Sequence, residues 1–331
     1  MADPNPARET LTLRYGAAAI AEAARLIAAG GCVAVPTETV YGLAADATDS
    51  AAVAGIYAAK GRPSFNPLIV HVLDLAAAER IAVFDDVARR LAAGFWPGPL
   101  TLVLPVRGDA GIASLVTAGL DTVAIRVPAH RAMRALLEAS GVPLAAPSAN
   151  ASGGISPTRA AHVVASLSGR IPLVIDDGAT EAGVESTIVA TAGSICILRE
   201  GPITREAIDK LFSRESGSPG LQALPPFTLG SRVRGRTVTA PGQLDSHYAP
   251  SKSLRLDARD ASENEWLIGF GPIPGDDTLS RTGDLIEAAA RLFDGLHRAD
   301  ASDRATLAIA PIPHTGSGAA INDRLRRAAH R

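Results

Sequence analysis

The chain has 331 residues and a mass of 33.9 kDa, which predicts one large domain followed by a smaller one. Hydrophobic residues make up 47% of the chain and charged residues 20%, a composition that excludes extensive disorder. The formal net charge of −2 argues against a basic protein that coats nucleic acid.

Cysteine content and hydropathy indicate the compartment. Cys32 and Cys196 each lie in an apolar run, which favours buried, reduced thiols over a disulfide framework or a metal-binding pair. The beginning MADPNPARET has no apolar core of a signal peptide, and no apolar run is long enough to cross a bilayer. We therefore expect a cytoplasmic protein with no membrane partner.

Helices and strands alternate through the first two thirds of the chain. A helix is predicted over 17–29, and a buried strand over 32–35 that ends at Pro36 and opens into a polar loop. A second helix is predicted over 49–59. Further strands are expected at 68–73, 100–106, 122–127, 144–147, 173–175, 187–190 and 195–198, and further helices at 74–93, 129–139, 158–167 and 204–212. This mixed order, with two late strands close enough for a hairpin, predicts an open α/β sheet of mixed direction.

The composition changes after residue 212. Residues 213–246 are rich in Ser, Gly, Pro and Arg, which is typical of a linker. A compact pattern returns with strands near 266–270 and 306–310 and helices near 282–297 and from about 318, as in a small Rossmann-like domain. We therefore predict a catalytic domain over 1–212, a linker over 213–253 and a small C-terminal α/β domain over 254–331.

The densest polar segment is K-G-R-P-S-F-N-P at 60–67. Its two prolines stiffen the loop, so that Lys60 and Arg62 are presented at a fixed spacing. A lysine and an arginine held together suit a polyphosphate, as a point charge and a bidentate fork. The alternative is an exposed helix end whose cations complement the helix dipole, and the segment alone leaves both open.

A second polar segment, A-P-S-A-N-A-S-G-G at 146–154, follows a predicted apolar strand. Open α/β sheets bind ligands where strands end, and Ser148, Asn150 and free backbone N–H groups could face an anion there. Ser156 would extend this surface into a helix N-terminus, which favours phosphate oxygens. The alternative is an ordinary capping turn, since Ser, Asn and Gly are turn residues.

Other polar residues are weaker candidates. Arg126 lies in an apolar strand, so its charge needs either an internal carboxylate or an anionic ligand. Thr37, Glu38, Thr39 and Tyr41 form a polar run that turn chemistry also explains. There is no HExxH, P-loop or GxSxG motif, and the seven histidines are scattered, so no protein metal site is predicted.

Five segments together resemble the YrdC-like threonylcarbamoyl-AMP synthases in order and approximate spacing: VPTETVYGLAADA, KGRPSFNPLIVHV, TVAIRVP, APSANASGGISPT and VESTIV. Lys60, Arg62, Ser148 and Asn150 match the K-x-R and S-x-N signature of that family. APGQLDSHYAP and LAIAPIPHTGSGAAINDRLRRAA resemble its long, two-domain form. The resemblance therefore covers nearly the whole chain.

The resemblance implies a YrdC-like open twisted mixed sheet and a nucleotidyltransferase. The implied reaction converts L-threonine, bicarbonate and ATP into threonylcarbamoyl-adenylate, pyrophosphate and water, with Mg²⁺ assisting through the ATP phosphates. A downstream tRNA threonylcarbamoyl-transferase complex would use the adenylate to form threonylcarbamoyladenosine beside the anticodon. Such a reaction needs positioning and charge neutralisation but no enzyme nucleophile, so the absence of a catalytic triad is expected.

The resemblance also implies the site residues. Lys60 and Arg62 would be catalytic and would hold the ATP phosphates with Asn66. Tyr248 would contact the nucleotide from a linker that closes as a lid, the alternative being that it only anchors the linker to the small domain. The other residues implied for ATP are Thr122, Ser148, Asn150, Ser156 and Arg199. Those implied for L-threonine are Thr39, His71, Arg126, Ala146 and Ser186.

Two other functions are weighed against the synthase. Relatives of this domain are associated with double-stranded RNA, so a ribosome-associated or RNA-binding module without synthase activity is the alternative, and a weak RNA contact is left open. Near-neutral charge and an aromatic content of 4% argue against it. A carbamoyl-transfer domain of the hydrogenase-maturation type is disfavoured because the chain lacks the zinc-finger-like cysteines and the acylphosphatase segment that accompany that domain.

Overall fold

A computed structural model of the chain describes residues 9–191, 195–213 and 247–330, together with the backbone of residues 228–229, 232–233 and 236–237. Most of the predicted linker, 213–253, therefore lies outside the described residues. The chain forms two compact units. Unit 1 contains the described residues up to Phe84 with Leu104–Ser152 and Ser156–Thr180, and unit 2 contains Asp85–Val103, Gly153–Ile155 and the described residues from Glu181 onward. The domain boundaries at 212 and 253 stay predictions.

Helices and strands alternate along the chain. The helices are α1 (Ala17–Ala28), α2 (Ser50–Lys60), α3 (Leu75–Ile81), α4 (Asp86–Phe95), α5 (Ser114–Thr117), α6 (Arg131–Ser140), α7 (Ala160–Leu167), α8 (Arg205–Ser213), α9 (Leu285–Asp300) and α10 (Ser317–Ala329). The first ten strands are β1 (Leu11–Arg14), β2 (Val33–Pro36), β3 (Tyr41–Asp46), β4 (Ile69–His71), β5 (Leu100–Pro105), β6 (Thr122–Arg126), β7 (Leu144–Ala145), β8 (Leu173–Asp176), β9 (Thr187–Ala190) and β10 (Cys196–Arg199). The remaining strands are β11 (Thr228–Leu229), β12 (Arg232–Val233), β13 (Arg236–Thr237), β14 (Leu254–Arg255), β15 (Glu265–Gly269), β16 (Asp277–Thr278) and β17 (Thr306–Ile309).

Unit 1 is built on a mixed sheet with the strand order β1-β8-β2-β3-β7-β4-β6. β1, β8 and β2 are parallel, β3 and β7 run antiparallel to their neighbours, and β4 and β6 are parallel. Helices α1 and α6 bury one face each, because Ile20, Ile27, Met133 and Leu136 recur at helical spacing and belong to one apolar cluster. This confirms the predicted α/β sheet of mixed direction.

Unit 2 contains two groups of strands. β5 pairs in parallel with β9, and β9 and β10 form the predicted antiparallel hairpin. A second, wholly parallel sheet has the order β14-β17-β15-β16 and is accompanied by α9 and α10. Within the described residues, no helix combines the length and hydropathy that a membrane span requires.

The structure corrects three predicted elements. The helix expected over 74–93 is two helices, because Asp85 caps a new helix by accepting from the Ala88 N–H at 2.7 Å. The polar loop expected after Pro36 continues into the buried strand β3. The C-terminal domain has four strands where two were predicted, since β14 and β16 are only two residues long.

Candidate functional site

The end of helix α2 determines where the two cations of the 60–67 segment leave the backbone. Asp49 caps the start of the helix by accepting two backbone N–H groups of the first turn. At the other end Gly61 has a left-handed conformation with φ of 61°, which glycine adopts without side-chain strain. The Arg62 N–H then bonds to the Tyr57 carbonyl at 3.0 Å. This turn holds Arg62 close to the last helical residue, Lys60.

The Lys60 ammonium is buried, with only 2% of the residue exposed. Its Nζ donates to the carbonyls of Ser148 and Asn150, and no carboxylate among the described residues pairs with it. Burial lowers the pKa of Lys60 well below its usual value, and the Arg62 charge lowers it further. The alternative of an exposed helix end is therefore wrong for this segment, because Lys60 and Arg62 both lie inside the protein.

Arg62 and Asn66 form the inner side of the same loop. Arg62 Nε donates to the Asn66 carbonyl at 3.2 Å, and its Nη2 donates to the Pro67 carbonyl at 3.1 Å. Tyr57 Oη also donates to the Asn66 carbonyl, at 3.0 Å. The side-chain Nδ2 of Asn66 is buried and has no hydrogen-bond partner among the described residues. The loop thus carries a buried amide donor beside two buried cations.

The 146–154 segment lies beside this loop. Ala146 is buried and its N–H donates to the Ile69 carbonyl at 3.0 Å, while the Ala149 N–H donates to the Tyr41 carbonyl at 2.8 Å. Ser148 and Asn150 follow, and their carbonyls accept from Lys60. The structure therefore joins Lys60 of the first polar segment to Ser148 and Asn150 of the second in one group within unit 1, although the sequence suggested the two segments separately.

Thr122 and Ser156 are less central. Thr122 begins β6 and lies two residues before Ala124, which pairs with Ile69 of β4. Ser156 is fully buried, but helix α7 begins only at Ala160. The expectation that Ser156 lies at a helix N-terminus is therefore wrong.

A second group of unit 1 forms around Arg126, at the end of β6. Its Nη2 donates to Glu38 Oε1 at 2.7 Å and its Nη1 to Thr39 Oγ1 at 3.0 Å. Burial raises the pKa of Glu38, but the Arg126 charge and backbone N–H groups outweigh burial and bring it to about 2. Of the two partners that the sequence left open for Arg126, the internal carboxylate is present.

His71 lies next to this pair. It ends β4 and stands opposite Arg126 in the register of β4 and β6. Burial lowers the pKa of His71 to about 3, and the Arg126 charge contributes in the same direction while Glu38 opposes it. Its Nδ1 has no partner among the described residues. At neutral pH His71 is therefore an uncharged imidazole, suited to exchanging a hydrogen bond with a small polar ligand.

Unit 2 holds a group around Ser186, the residue before β9. Ser186 Oγ lies 2.8 Å from Thr101 Oγ1, and Arg199 donates to Ser186 twice, from Nη2 to Oγ and from Nε to the carbonyl, both at 3.0 Å. A side chain at Gly201 would lie 2.4 Å from the Thr187 nitrogen, so the backbones are in direct contact. The structure thus brings together Ser186 and Arg199.

Tyr248, also in unit 2, is almost fully buried. Its ring lies 5.5 Å from the Phe293 ring of α9, and the guanidinium carbon of Arg324 is 5.4 Å from its centroid. The Ala249 N–H donates to the Gly153 carbonyl at 2.8 Å. Tyr248 Oη has no hydrogen-bond partner among the described residues. These contacts support anchoring by Tyr248, and its contact with a nucleotide stays a prediction.

Comparison with known proteins identifies the family. Residues 203–330 match the family model described as threonylcarbamoyl-AMP synthase, C-terminal domain, and residues 25–201 match the one described as telomere recombination. The threonylcarbamoyl-AMP synthase of Bacillus subtilis is 39% identical, with 94% of this chain and 92% of the relative covered. That of Pyrococcus abyssi is also 39% identical, with 93% of each covered. The chain belongs to the threonylcarbamoyl-AMP synthase family.

The solved structures agree with this assignment. A crystal structure of Pyrococcus abyssi Sua5 complexed with L-threonine superposes with a TM-score of 0.84, at 36% identity and with 97% of each chain covered. The resemblance found in the sequence and the fold expected from it are confirmed. Threonylcarbamoyl-AMP synthases form an adenylate, so the chain is an enzyme of the nucleotidyltransferase type.

Several polar residues of this synthase's groups carry no clear signal in the sequence. Glu38 looks like part of a turn, although it is the carboxylate that pairs with Arg126. Thr101 interrupts the apolar strand β5 and bonds to Ser186, and this interruption is the available signal. Glu185 and Arg324 form a buried ion pair that a separation of 139 positions hides from any local pattern.

Proposed function

We propose that this synthase converts L-threonine, bicarbonate and ATP into threonylcarbamoyl-adenylate, pyrophosphate and water. The observation that carries the proposal is the buried Lys60 ammonium, which has no carboxylate partner in the described chain and stands beside the Arg62 guanidinium. A desolvated ammonium that has no carboxylate partner in the described chain, next to a second buried cation, favours a bound polyanion. ATP phosphates supply that charge, and Asn66 Nδ2 offers an additional donor to them.

The proposed chemistry proceeds without an enzyme nucleophile. The threonine amine takes up bicarbonate to give a carbamate and water. A carbamate oxygen then attacks the α-phosphorus of ATP, the new P–O bond forms, and pyrophosphate leaves with the electrons of the broken bond. Lys60 and Arg62 stabilise the charge that develops on the phosphates, which is an electrostatic contribution from preorganised donors.

The remaining residues take positioning roles in this proposal. Ser148, Asn150, Thr122 and Ser156 are assigned to the nucleotide, with Arg199 and Tyr248 as further contacts. Threonine is assigned to Thr39, His71, Arg126, Ala146 and Ser186. The Pyrococcus abyssi relative was crystallised as a complex with L-threonine, which supports this amino acid as the substrate. Because Arg126 already holds Glu38, a threonine carboxylate would share this guanidinium with Glu38.

Mg²⁺ is proposed to enter on the ATP phosphates. The described residues contain no cluster of three or more His, Cys, Asp or Glu side chains able to hold a metal ion. Lys60, Arg62 and Asn66 present cations and an amide, which suit phosphate oxygens and not a metal. When bound, Mg²⁺ would neutralise phosphate charge together with these side chains.

We further propose that the adenylate passes to a downstream transferase complex that modifies tRNA beside the anticodon, in the cytoplasm. The mixed anhydride of such an adenylate is hydrolytically fragile, so direct transfer is favoured. An RNA-binding module without synthase activity is the alternative, and no described feature specifically supports it.

Pyrophosphate release tests the proposal. The chain is incubated with ATP, Mg²⁺, L-threonine and bicarbonate, and each component is omitted in turn. Release should require all of them, and L-serine or L-valine should replace threonine poorly, since a site that satisfies both the hydroxyl and the methyl group discriminates against either loss. Equal release without threonine would contradict the proposal and favour a nucleotide hydrolase.

A further inference from the structure

The segment leading to Ser186 lies directly against the two C-terminal helices within unit 2. Gly183 has a φ of +67°, and a side chain there would lie 2.4 Å from both the Cα and the carbonyl oxygen of Ala290 in α9. No side chain fits between the two backbones. The backbone of residues 181–186 therefore packs directly against α9, and only a glycine at 183 allows the two backbones to come this close.

Helix α10 contacts the same segment at Glu185, two residues after Gly183. Arg324 is fully buried, and its Nε donates to Glu185 Oε2 at 2.9 Å while its Nη1 donates to Asp323 Oδ2 at 2.8 Å. Burial lowers the pKa of Arg324, but the surrounding Tyr248, Glu185 and Asp323 outweigh it and raise the pKa above its usual value. A guanidinium held this way keeps its charge, and Glu185 is fixed by it.

Glu185 is covalently joined to Ser186, whose hydroxyl and carbonyl both accept from Arg199. The Gly201 backbone also packs against this segment, since a side chain at 201 would lie 2.7 Å from the Glu185 carbonyl oxygen. Tyr248 is in turn covered by the Arg324 guanidinium. The Arg324 side chain therefore contacts both Glu185, which precedes Ser186, and the Tyr248 ring. Ser186 is in turn bonded to Arg199.

We propose that Arg324 is a positioning residue of the synthase: its ion pair with Glu185 sets the place of Ser186 for the threonine substrate. The proposal rests on the proposed function in assigning Ser186 to threonine. With none of its surface exposed, Arg324 acts through Glu185 and does not itself touch substrate. The C-terminal helix α10 thereby contributes to threonine recognition.

The test must separate positioning from simple stability. Removing one member of a buried ion pair leaves the other charge uncompensated and destabilises the fold, so Arg324→Met is combined with Glu185→Gln. Methionine keeps an apolar contact with the Tyr248 ring, and glutamine keeps the shape of the glutamate. The matched control is Arg291→Met with Glu287→Gln, an exposed ion pair on α9.

Three quantities are measured on the full chain: the thermal midpoint, the KM values for threonine and ATP in pyrophosphate release, and hydrogen exchange of the 181–190 amides. The buried double variant should melt within about 3 °C of the parent. Its KM for threonine should rise at least about tenfold, because displacing a binding group by an ångström costs up to a hundredfold. Its KM for ATP should change less, and the 181–190 amides should exchange faster.

Threonine KM and exchange rates equal to those of the Arg291/Glu287 control would overturn the proposal. If the double variant fails to fold, Arg324→Lys is tested in its place, because lysine keeps the charge but lacks the planar fork of arginine. A threonine KM and 181–190 exchange rates equal to those of the parent in this variant would also overturn the proposal. Hydrogen exchange does not depend on catalysis. A parent that releases pyrophosphate without threonine contradicts the proposed function, while the exchange of 181–190 still decides whether Arg324 positions this segment.

Discussion

Lys60 is a buried cation whose Nζ meets two carbonyls and no carboxylate among the described residues, and in the proposed function the ATP phosphates supply the opposite charge. We expect Lys60→Met to lower turnover by about 10²–10³, the usual cost of losing one preorganised charge donor. The free energy of unfolding should change by less than about 1 kcal/mol, because methionine fills similar volume and removes a desolvated charge.

Chemical unfolding and pyrophosphate release, each compared between Lys60→Met and parent, check this expectation. Lys210→Met, at an exposed position of α8, is the control and should leave both quantities unchanged. A large loss of stability with turnover retained would show that Lys60 serves the fold by tying 60 to 148–150, and not the phosphates.

Arg126 poses the opposite problem, because its charge is already compensated by Glu38. Arg126→Ala should cost about 3–5 kcal/mol of stability, since it leaves a buried carboxylate unpaired. The double variant Arg126→Met with Glu38→Gln removes both charges and should recover most of that loss. Threonine affinity should stay weakened by about 2–5 kcal/mol in both variants.

Denaturant unfolding gives the stability of these variants, and calorimetry gives their affinities for threonine and for ATP. If the double variant binds threonine as the parent does and ATP poorly, Arg126 belongs to the nucleotide and the assignment of the two groups must be exchanged. Recovery of both stability and threonine binding would leave Arg126 a purely structural partner of Glu38.

His71 makes stability depend on pH. Its pKa is about 3 in the folded chain and about 6.5 in an unfolded one. Between these two pH values the unfolded chain binds a proton at His71 and the folded chain does not. Stability is therefore lost as pH falls from 6.5 towards 3. Between pH 7 and pH 5 the loss due to His71 is roughly 2 kcal/mol, and His71→Gln should lack it.

Unfolding free energies of parent and His71→Gln at pH 7 and pH 5 measure this loss. The window lies above the range in which Glu38, with a pKa of about 2, takes up its proton. His314→Gln, at an exposed histidine, is the control. An equal acid loss in parent and His71→Gln would mean that the folded chain protonates His71 as readily as the unfolded chain does.

At the scale of elements, the end of α2 fixes the positions of Lys60 and Arg62 in the candidate site. Gly61 and Gly55 both have open space where a side chain would go, but only Gly61 has a positive φ. Gly61→Ala should therefore cost about 1 kcal/mol through left-handed strain. Gly55→Ala, in the middle of the same helix, should instead stabilise by about 0.5–1 kcal/mol.

Thermal and denaturant unfolding of the two alanine variants check the contrast, since each change adds the same methyl group. Turnover should fall in Gly61→Ala, because the turn that places Arg62 must shift, and should remain at the parent level in Gly55→Ala. Equal stability changes in both variants would show that the helix end tolerates a different turn.

The elements that could be predicted from the sequence are those with local signals. The periodic apolar face of α1 and the hairpin of β9 and β10 follow from their own residues. The break before α4 carried a usable signal in its Asp85 cap, which a continuous helical pattern concealed. Strand β3 could not be predicted, because its polar approach resembles a turn and its burial comes from pairing with β2 and β7.

The same distinction explains the site. The 60–67 and 146–154 segments were recognisable by their residues, and their roles follow from a family resemblance that spans the chain. Their contact is long-range in sequence, because Lys60 bonds to residues 88 and 90 positions away. The burial of Lys60 and the pairing of Arg126 with Glu38 depend likewise on tertiary packing, which no local pattern encodes.

At the scale of the whole molecule, charge distribution bears on the partner. Lysine and arginine number 32 against 34 acidic residues. Five basic residues are buried among the described ones, namely Lys60, Arg62, Arg126, Arg199 and Arg324, against three acidic ones, Glu38, Glu185 and Glu265. The residues that remain outside this buried set therefore carry a more negative formal charge than the chain as a whole. Such a charge gives few contacts with RNA phosphates, so RNA binding would release few counterions.

We therefore expect weak RNA binding by the isolated chain. Labelled double-stranded RNA and a tRNA anticodon stem-loop, titrated at 50 and 200 mM KCl, should give dissociation constants no tighter than about 10⁻⁵ M, within the range of non-specific contacts. Added tRNA should also leave pyrophosphate release within about twofold of the rate without tRNA, because the residues proposed for the ATP phosphates, Lys60, Arg62 and Asn66, are buried. Sub-micromolar binding that weakens about a thousandfold between the two salt concentrations would instead require a basic RNA-binding surface, and would restore the RNA-binding module as a function of this chain.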